Sequence, residues 1–377
     1  MPIGLYIHVP FCVSKCPYCD FYSLTGADAP LLDAYAGAVE RALEAWASRL
    51  SDPAADTLYF GGGTPSLLGG ERLARLIETA RRLFGLRDAE ITLEANPGDR
   101  LRETFRAFAA AGGNRISLGM QSAQDDELRS LGRRHTARDA AAAVDAAHDA
   151  GIDNLSLDLM LALENQTIAS VVASAGEAAR LGARHLSAYL LKIEPGTPYA
   201  ERRDSLALPD DDAAAELYLA ACETLDLLGY RQYEISNFAL PGAESRHNLK
   251  YWNAEPTLGI GPSAHSFLGG RRFAYPRDLS AFLEGRHPVA EREETDPLSP
   301  GIIAEASEEE YAMLRLRLSD GLDEVAFRER FGRPLPDGYR ERAAALPAQL
   351  VNADERGVRL TRLGFLLSNP LIARLLG

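Results

Sequence analysis

The chain has 377 residues, is 46% hydrophobic, carries a formal net charge of -14 and has a mean hydropathy of -0.16. That is enough apolar material for a large core plus a smaller unit. No run approaches a membrane span, so any membrane contact is expected to be peripheral or through a partner, and the net charge argues against a nucleic-acid polyanion as a general partner.

The first predicted strand, residues 4–8, leads straight into Cys12, Cys16 and Cys19. In this C-x3-C-x2-C spacing three thiolates can hold three irons of a cubane cluster and leave the fourth iron open to an exogenous ligand. A disulfide and a zinc knot are the alternatives. The chain is long, has four cysteines and begins almost at the motif with no apolar signal segment, which points to a reducing cytoplasm. Zinc needs a fourth protein ligand, and only His8 is near.

Apolar strands at 57–60, 90–94, 115–119, 154–159 and 185–190 then alternate with amphipathic helices at 32–50, 71–84, 101–111, 137–150 and 170–181. This rhythm closes a parallel sheet, and six such units predict an α/β protein built on a partial (β/α)6 barrel. In that architecture the strand C-terminal ends carry the chemistry. Gly61-Gly62-Gly63-Thr64-Pro65 follows the second strand, where missing Cβ atoms let backbone groups approach a ligand closely. Glu94 ends the third strand, Gln121 follows the fourth and Asp158 lies in the fifth, so their polar groups can converge on one pocket. Arg133 can pair with a ligand carboxylate through its planar fork, or form a surface salt bridge.

A helix at 210–228 follows, with Cys222 inside it as a buried small hydrophobe. The segment 233–266 is less regular and dense in polar and aromatic residues. Its His247, with Tyr251 and Trp252 behind it, is either a heme-iron ligand beside flat rings or part of an aromatic plug in the barrel. His265 is a ligand contact or a hydrogen-bonded loop histidine. An acidic, proline-bearing break is expected at 288–300. Beyond it, helices at 310–318, 322–331 and 339–346 and a hairpin at 350–360 suggest a smaller C-terminal winged-helix-like domain. Its acidic surface offers no basic recognition face, which favours scaffolding over DNA binding. The expected division is a core at 1–235, a barrel-edge segment at 236–288 and a helical domain at 300–377.

The whole set resembles radical S-adenosylmethionine (radical SAM) proteins of the oxygen-independent coproporphyrinogen III oxidase family, and within it the heme-chaperone branch. The motifs that carry the resemblance are Tyr6-Ile-His-Val-Pro-Phe-Cys, Cys16-Pro-Tyr-Cys-Asp-Phe, Phe60-Gly-Gly-Gly-Thr-Pro-Ser, Leu93-Glu-Ala-Asn-Pro-Gly, Ser117-Leu-Gly-Met-Gln-Ser, Leu131-Gly-Arg-Arg-His, His185-Leu-Ser-Ala-Tyr, Tyr233-Glu-Ile-Ser-Asn-Phe-Ala, His247-Asn-Leu-Lys-Tyr-Trp and Gly259-Ile-Gly-Pro-Ser-Ala-His-Ser. The resemblance implies that Cys12, Cys16 and Cys19 ligate a 4Fe-4S cluster whose open iron takes the amino and carboxyl groups of S-adenosyl-L-methionine (SAM). It implies that Tyr6, Tyr18, Gly62, Gly63, Thr64, Glu94, Gln121, Arg133 and Asp158 line the SAM pocket, and it favours His247 as a heme contact.

Heme delivery to respiratory membrane apoproteins is the implied function. Oxidative decarboxylation of coproporphyrinogen III through a 5'-deoxyadenosyl radical is the alternative, and radical modification of nucleic acid a weaker one. The oxidase resembles C-x3-C-x2-C-x-C with a substantial leader, whereas here Phe21 stands at the fourth cysteine position and eleven residues precede Cys12. A departure lies at Leu161–Asn165, where Ala162, Glu164 and Asn165 replace the family's Gly, Pro and Gly, so the loop beyond the fifth strand is expected to differ.

Overall fold

The computed structural model describes residues 1–98, 101–285 and 304–377. Its first strands, β1 (Ile3–Val9), β2 (Ala55–Gly62), β3 (Glu90–Ala95), β4 (Arg115–Gln121), β5 (Leu155–Leu161) and β6 (His185–Leu190), fall on the predicted segments. They pair in sequence order and in parallel, with Tyr6 opposite Tyr59, Leu93 opposite Ile116 and Leu157 opposite Leu186. Between them run α1 (Ala29–Ala47), α2 (Gly69–Phe84), α3 (Leu101–Ala110), α4 (Asp125–Ser130), α5 (Ala137–His148) and α6 (Ile168–Arg180). Sequence dictates these locally. In α2 the buried residues Leu73, Leu76, Ile77, Ala80 and Phe84 recur at helical spacing, and Gly85 ends the helix at φ 70°. Thr136 and Asp139 form a capping box that starts α5.

After α7 (Pro198–Glu201) and α8 (Asp211–Leu227), β7 (Arg231–Gln232) and β8 (Asn237–Ala239) add an antiparallel edge beyond β6. The segment expected to be irregular is ordered. It holds α9 (Arg246–Trp252), then β9 (Thr257–Ile260), which pairs in parallel with the other side of β1, followed by β10 (His265–Leu268) and β11 (Arg271–Ala274). After α10 (Leu279–Leu283), β12 (Ala304–Glu305) is an edge strand of what is, among the described residues, a twelve-stranded sheet. The expected break at 288–300 lies outside the described residues.

The C-terminal unit runs α11 (Glu308–Arg315), β13 (Leu322–Asp323), α12 (Glu324–Phe331), α13 (Asp337–Ala344), β14 (Val351–Asp354), β15 (Gly357–Leu360), α14 (Arg362–Leu366) and α15 (Ser368–Leu376). Its small antiparallel sheet, ordered β13-β15-β14, gives the winged-helix-like pattern. One correction is local: Leu322–Asp323 pairs with β15, so α12 starts only at Glu324, where Asp323 caps it. The unit has its own core around Tyr311, Phe327, Leu335 and Leu375, which also takes in Ala254 and Phe267 from the barrel edge. Among the described residues no helix is long and apolar enough to cross a membrane.

Candidate functional site

The cysteine loop leaves β1 at the C-terminal end of the barrel, where all three thiols are free and partly exposed. Thr64 Oγ1 donates to Cys12 Sγ at 3.5 Å. Asn96 Nδ2 donates to Thr64 Oγ1 at 3.0 Å, and an Arg133 amine donates to Asn96 Oδ1 at 2.8 Å. Side chains from the loops after β2, β3 and β4 thus form one chain ending on the cysteine loop. Asn96 was not singled out from the sequence. Its signal was its place two residues past Glu94 in the same strand-end run.

The residues present fit a cluster with a carboxylate-bearing ligand. The Tyr18 hydroxyl and the Arg133 Nε are buried without hydrogen-bond partners, and the Arg133 guanidinium lies 5.7 Å from the Tyr18 ring centre. Buried donors left unpaired are costly unless a ligand takes them up. A cavity of about 720 Å³ opens beside Cys16, with Thr64, Leu67, Asn96 and Arg133 in its wall. The zinc alternative loses its nearest extra ligand: His8 engages Tyr6 Oη through Nδ1 at 3.1 Å and the Tyr22 carbonyl through Nε2 at 2.9 Å. Cys222 is fully buried, and burial pushes its thiol up to about 11, so it stays an inert core residue.

The glycine turn differs from expectation in what it offers. The Gly62 amide donates to Glu94 Oε2 at 3.2 Å, the Gly63 amide to the Val9 carbonyl at 2.8 Å and the Thr64 amide to the Phe11 carbonyl at 2.7 Å. These three amides are therefore already used within the protein. Gly62 has φ 107°, and a Cβ on Gly63 would stand 2.7 Å from the Phe11 carbonyl, so glycine is required at both.

Glu94 and Asp158 point into the barrel with Tyr59, Arg115, His185 and Asn248 around a small polar chamber. Tyr59 donates to Glu94 Oε1 at 2.8 Å, and Ser117 to Asp158 Oδ1 at 3.3 Å. Burial pushes Glu94 up to about 7 and Asp158 up to about 6, while Arg115 pulls both down. Gln121 has φ 67°, and a register shift in the pairing of β4 with β5 lies just before it. Such a bulge re-aims a strand-end side chain. Tyr6 lies lower in the barrel, its ring 6.1 Å from that of Tyr59. In the departing loop Ala162 (φ 61°) and Asn165 (φ 56°) both hold left-handed conformations of the kind glycine favours, and at Ala162 this carries a cost in strain.

His247 stands apart from this set. α9 crosses the opposite, N-terminal end of the barrel, where Glu90 accepts the backbone amides of Arg246 and His247 at 3.2 and 3.0 Å. The His247 imidazole is 1% exposed and engages Thr57 Oγ1 through Nδ1 and Tyr251 Oη through Nε2, both at 2.8 Å. Both ring nitrogens are thus hydrogen-bonded within the protein. Trp252 turns to the C-terminal unit, under Arg317. His265 begins β10 with its side chain exposed.

Comparison with known proteins matches residues 6–178 to the Radical SAM superfamily and residues 306–367 to the HemN C-terminal domain. The chain is similar to the heme chaperone HemW of Mycobacterium tuberculosis, with 40% identity covering 100% of this chain and 95% of that protein. It is also similar to the heme chaperones HemW of Bacillus subtilis, with 34% identity over 99% and 98% of the two chains, and of Escherichia coli, with 37% over 86% and 85%. Among solved structures, coproporphyrinogen III oxidase (HemN) from Escherichia coli, described as a radical SAM enzyme, shares the fold with a TM-score of 0.82 at 23% identity, covering 99% of this chain and 90% of that one.

Proposed function

We propose a function from one premise: the chain belongs to the HemW family of radical SAM proteins. It binds heme in the cytoplasm and hands it to heme-requiring respiratory apoproteins, associating only peripherally with the membrane that holds them. Cys12, Cys16 and Cys19 hold a 4Fe-4S cluster, which supplies an open iron for the amino and carboxyl groups of SAM. Arg133 pairs with the SAM carboxylate, and Tyr18 takes part beside it. Glu94 and Asp158 face its positive charge from the barrel, with Tyr6, Gly62, Gly63, Thr64 and Gln121 completing the wall.

The observation that carries the chaperone reading is the end-to-end similarity to proteins named as heme chaperones. Phe21 supports it. That side chain is 64% exposed on the cysteine loop, where the oxidase motif has a further cysteine. The test is to reconstitute the cluster anaerobically and supply heme or, in parallel, coproporphyrinogen III with SAM and a reductant. Stoichiometric heme capture without decarboxylated porphyrin is expected. Turnover to protoporphyrinogen IX would make the chain an oxidase instead.

A further inference from the structure

We infer that His247 is a positioning residue for the SAM pocket, setting the glycine turn from beneath the barrel. The inference rests on the reading that this pocket takes SAM. The imidazole lies beside Gly4 at the start of β1, roughly 17 Å of strand below the cysteine loop, so any influence on the pocket has to travel through packed side chains.

Two such routes are present. The His247 ring stacks on Tyr59 at 5.1 Å and on Tyr6 at 6.3 Å, each at 28°. Both tyrosines close on Gly61, where a Cβ would meet Tyr6 at 2.8 Å and Tyr59 at 3.0 Å. The Tyr59 hydroxyl then holds Glu94, and the other Glu94 oxygen holds the Gly62 amide. Tyr6 engages His8, whose ring fills the space a Gly62 side chain would need. Stacked rings and short hydrogen bonds in a close-packed interior transmit displacement because they have little room to absorb it.

The other side of the imidazole is anchored as firmly. Thr57 and Tyr251 fix both nitrogens. Within α9, Lys250 bonds the Pro2 carbonyl at 3.1 Å, Asp56 at 2.9 Å and Glu255 at 3.2 Å. The helix end is clamped to the C-terminal unit by Arg315 on Asn253 and by Arg330 on the Ala254 carbonyl. Burial pushes His247 down to about 3, which keeps the ring neutral and its hydrogen-bond pattern fixed.

The experiment compares SAM affinity, heme affinity and the electron paramagnetic resonance of the reduced cluster in the full reconstituted chain. The variants are His247→Leu, His247→Asn, Tyr59→Phe and the double variant His247→Leu/Tyr59→Phe. Each of His247→Leu and Tyr59→Phe is expected to weaken SAM binding on the order of tenfold, the loss that one misplaced hydrogen bond to a charged group gives. The double variant should lose no more than His247→Leu alone, because Tyr59 lies on one of the two routes through which His247 acts. His247→Asn, which can still bond Thr57, should recover much of the loss. Iron content, heme affinity and the heme visible spectrum should match the unsubstituted protein, and only the SAM-induced change in the cluster signal should shrink.

Wild-type SAM affinity in His247→Leu, multiplied losses in the double variant, or a lost heme-ligand band would overturn the inference. If His247→Leu fails to fold, Tyr59→Phe carries the test, and unchanged SAM affinity there sinks it. An unsubstituted chain that binds no SAM at all overturns the pocket reading itself, and this inference with it.

Discussion

SAM should bind more tightly as pH rises. Glu94 and Asp158 share the barrel chamber, and burial holds their carboxyls up at about 7 and about 6. A cationic ligand favours the ionised form of each, so binding should expel protons that the ligand-free chain carries. If only ionised Glu94 accepts SAM, affinity falls about tenfold between pH 8 and pH 6, and Asp158 adds about twofold. Folding responds in the opposite direction. A carboxyl whose folded value lies above its unfolded one takes up protons on folding, so the ligand-free chain loses stability as pH rises from the ordinary carboxyl range through about 7. Stabilisation by SAM should therefore grow across the window in which the bare chain weakens. Titration calorimetry on the reconstituted chain, in two buffers of different ionisation enthalpy, counts the protons released. Glu94→Gln should bind about tenfold more weakly at pH 8 and keep only the twofold slope that Asp158 provides. A dissociation constant flat from pH 6 to 8, or a full slope in Glu94→Gln, would refute the reasoning.

Ala162→Gly should stabilise the chain by roughly 0.5–1 kcal/mol, since relief of left-handed strain of ~1–2 kcal/mol exceeds the ~0.4–1 kcal/mol gained by a freer unfolded chain. A denaturant midpoint that falls in that variant would show that the loop is not strained at φ 61°. Cys16→Ala should assemble no cluster, by iron content and visible absorbance, while some heme capture persists. Unchanged iron content would remove Cys16 from the ligand set.

The barrel strands and their helices were legible because each strand is a short apolar run and each helix carries a clean apolar stripe, as in α2. The strand-end rule pointed to Glu94, Gln121 and Asp158; in the structure Glu94 and Asp158 share the barrel chamber, while Thr64 and Arg133 line the cavity beside Cys16. What escaped the sequence depended on pairings that no local pattern states. β9 is four residues, Thr-Leu-Gly-Ile, within a glycine-rich stretch, and only its position against β1 makes it a strand. Asn96 and Tyr59 act through side chains from other loops and strands. The packing of His247 was not legible for a chemical reason: imidazole beside two large aromatics suits both a metal site and a packed plug. The sequence does not reveal that Thr57, 190 positions away, takes one nitrogen. The glycine turn was found for its missing Cβ atoms, but the direction of its amides was visible only once Val9, Phe11 and Glu94 were placed around it.

The most direct test of the chaperone claim is heme transfer. The cluster-loaded, heme-loaded chain would be mixed with membranes carrying a respiratory enzyme in its heme-free form, and heme on each would be followed by absorbance alongside the enzyme's activity. Heme leaving the chain in step with recovery of the enzyme, faster than free heme alone provides, is the expected result. Heme that stays bound, or recovery no faster than with free heme, would contradict a delivery role.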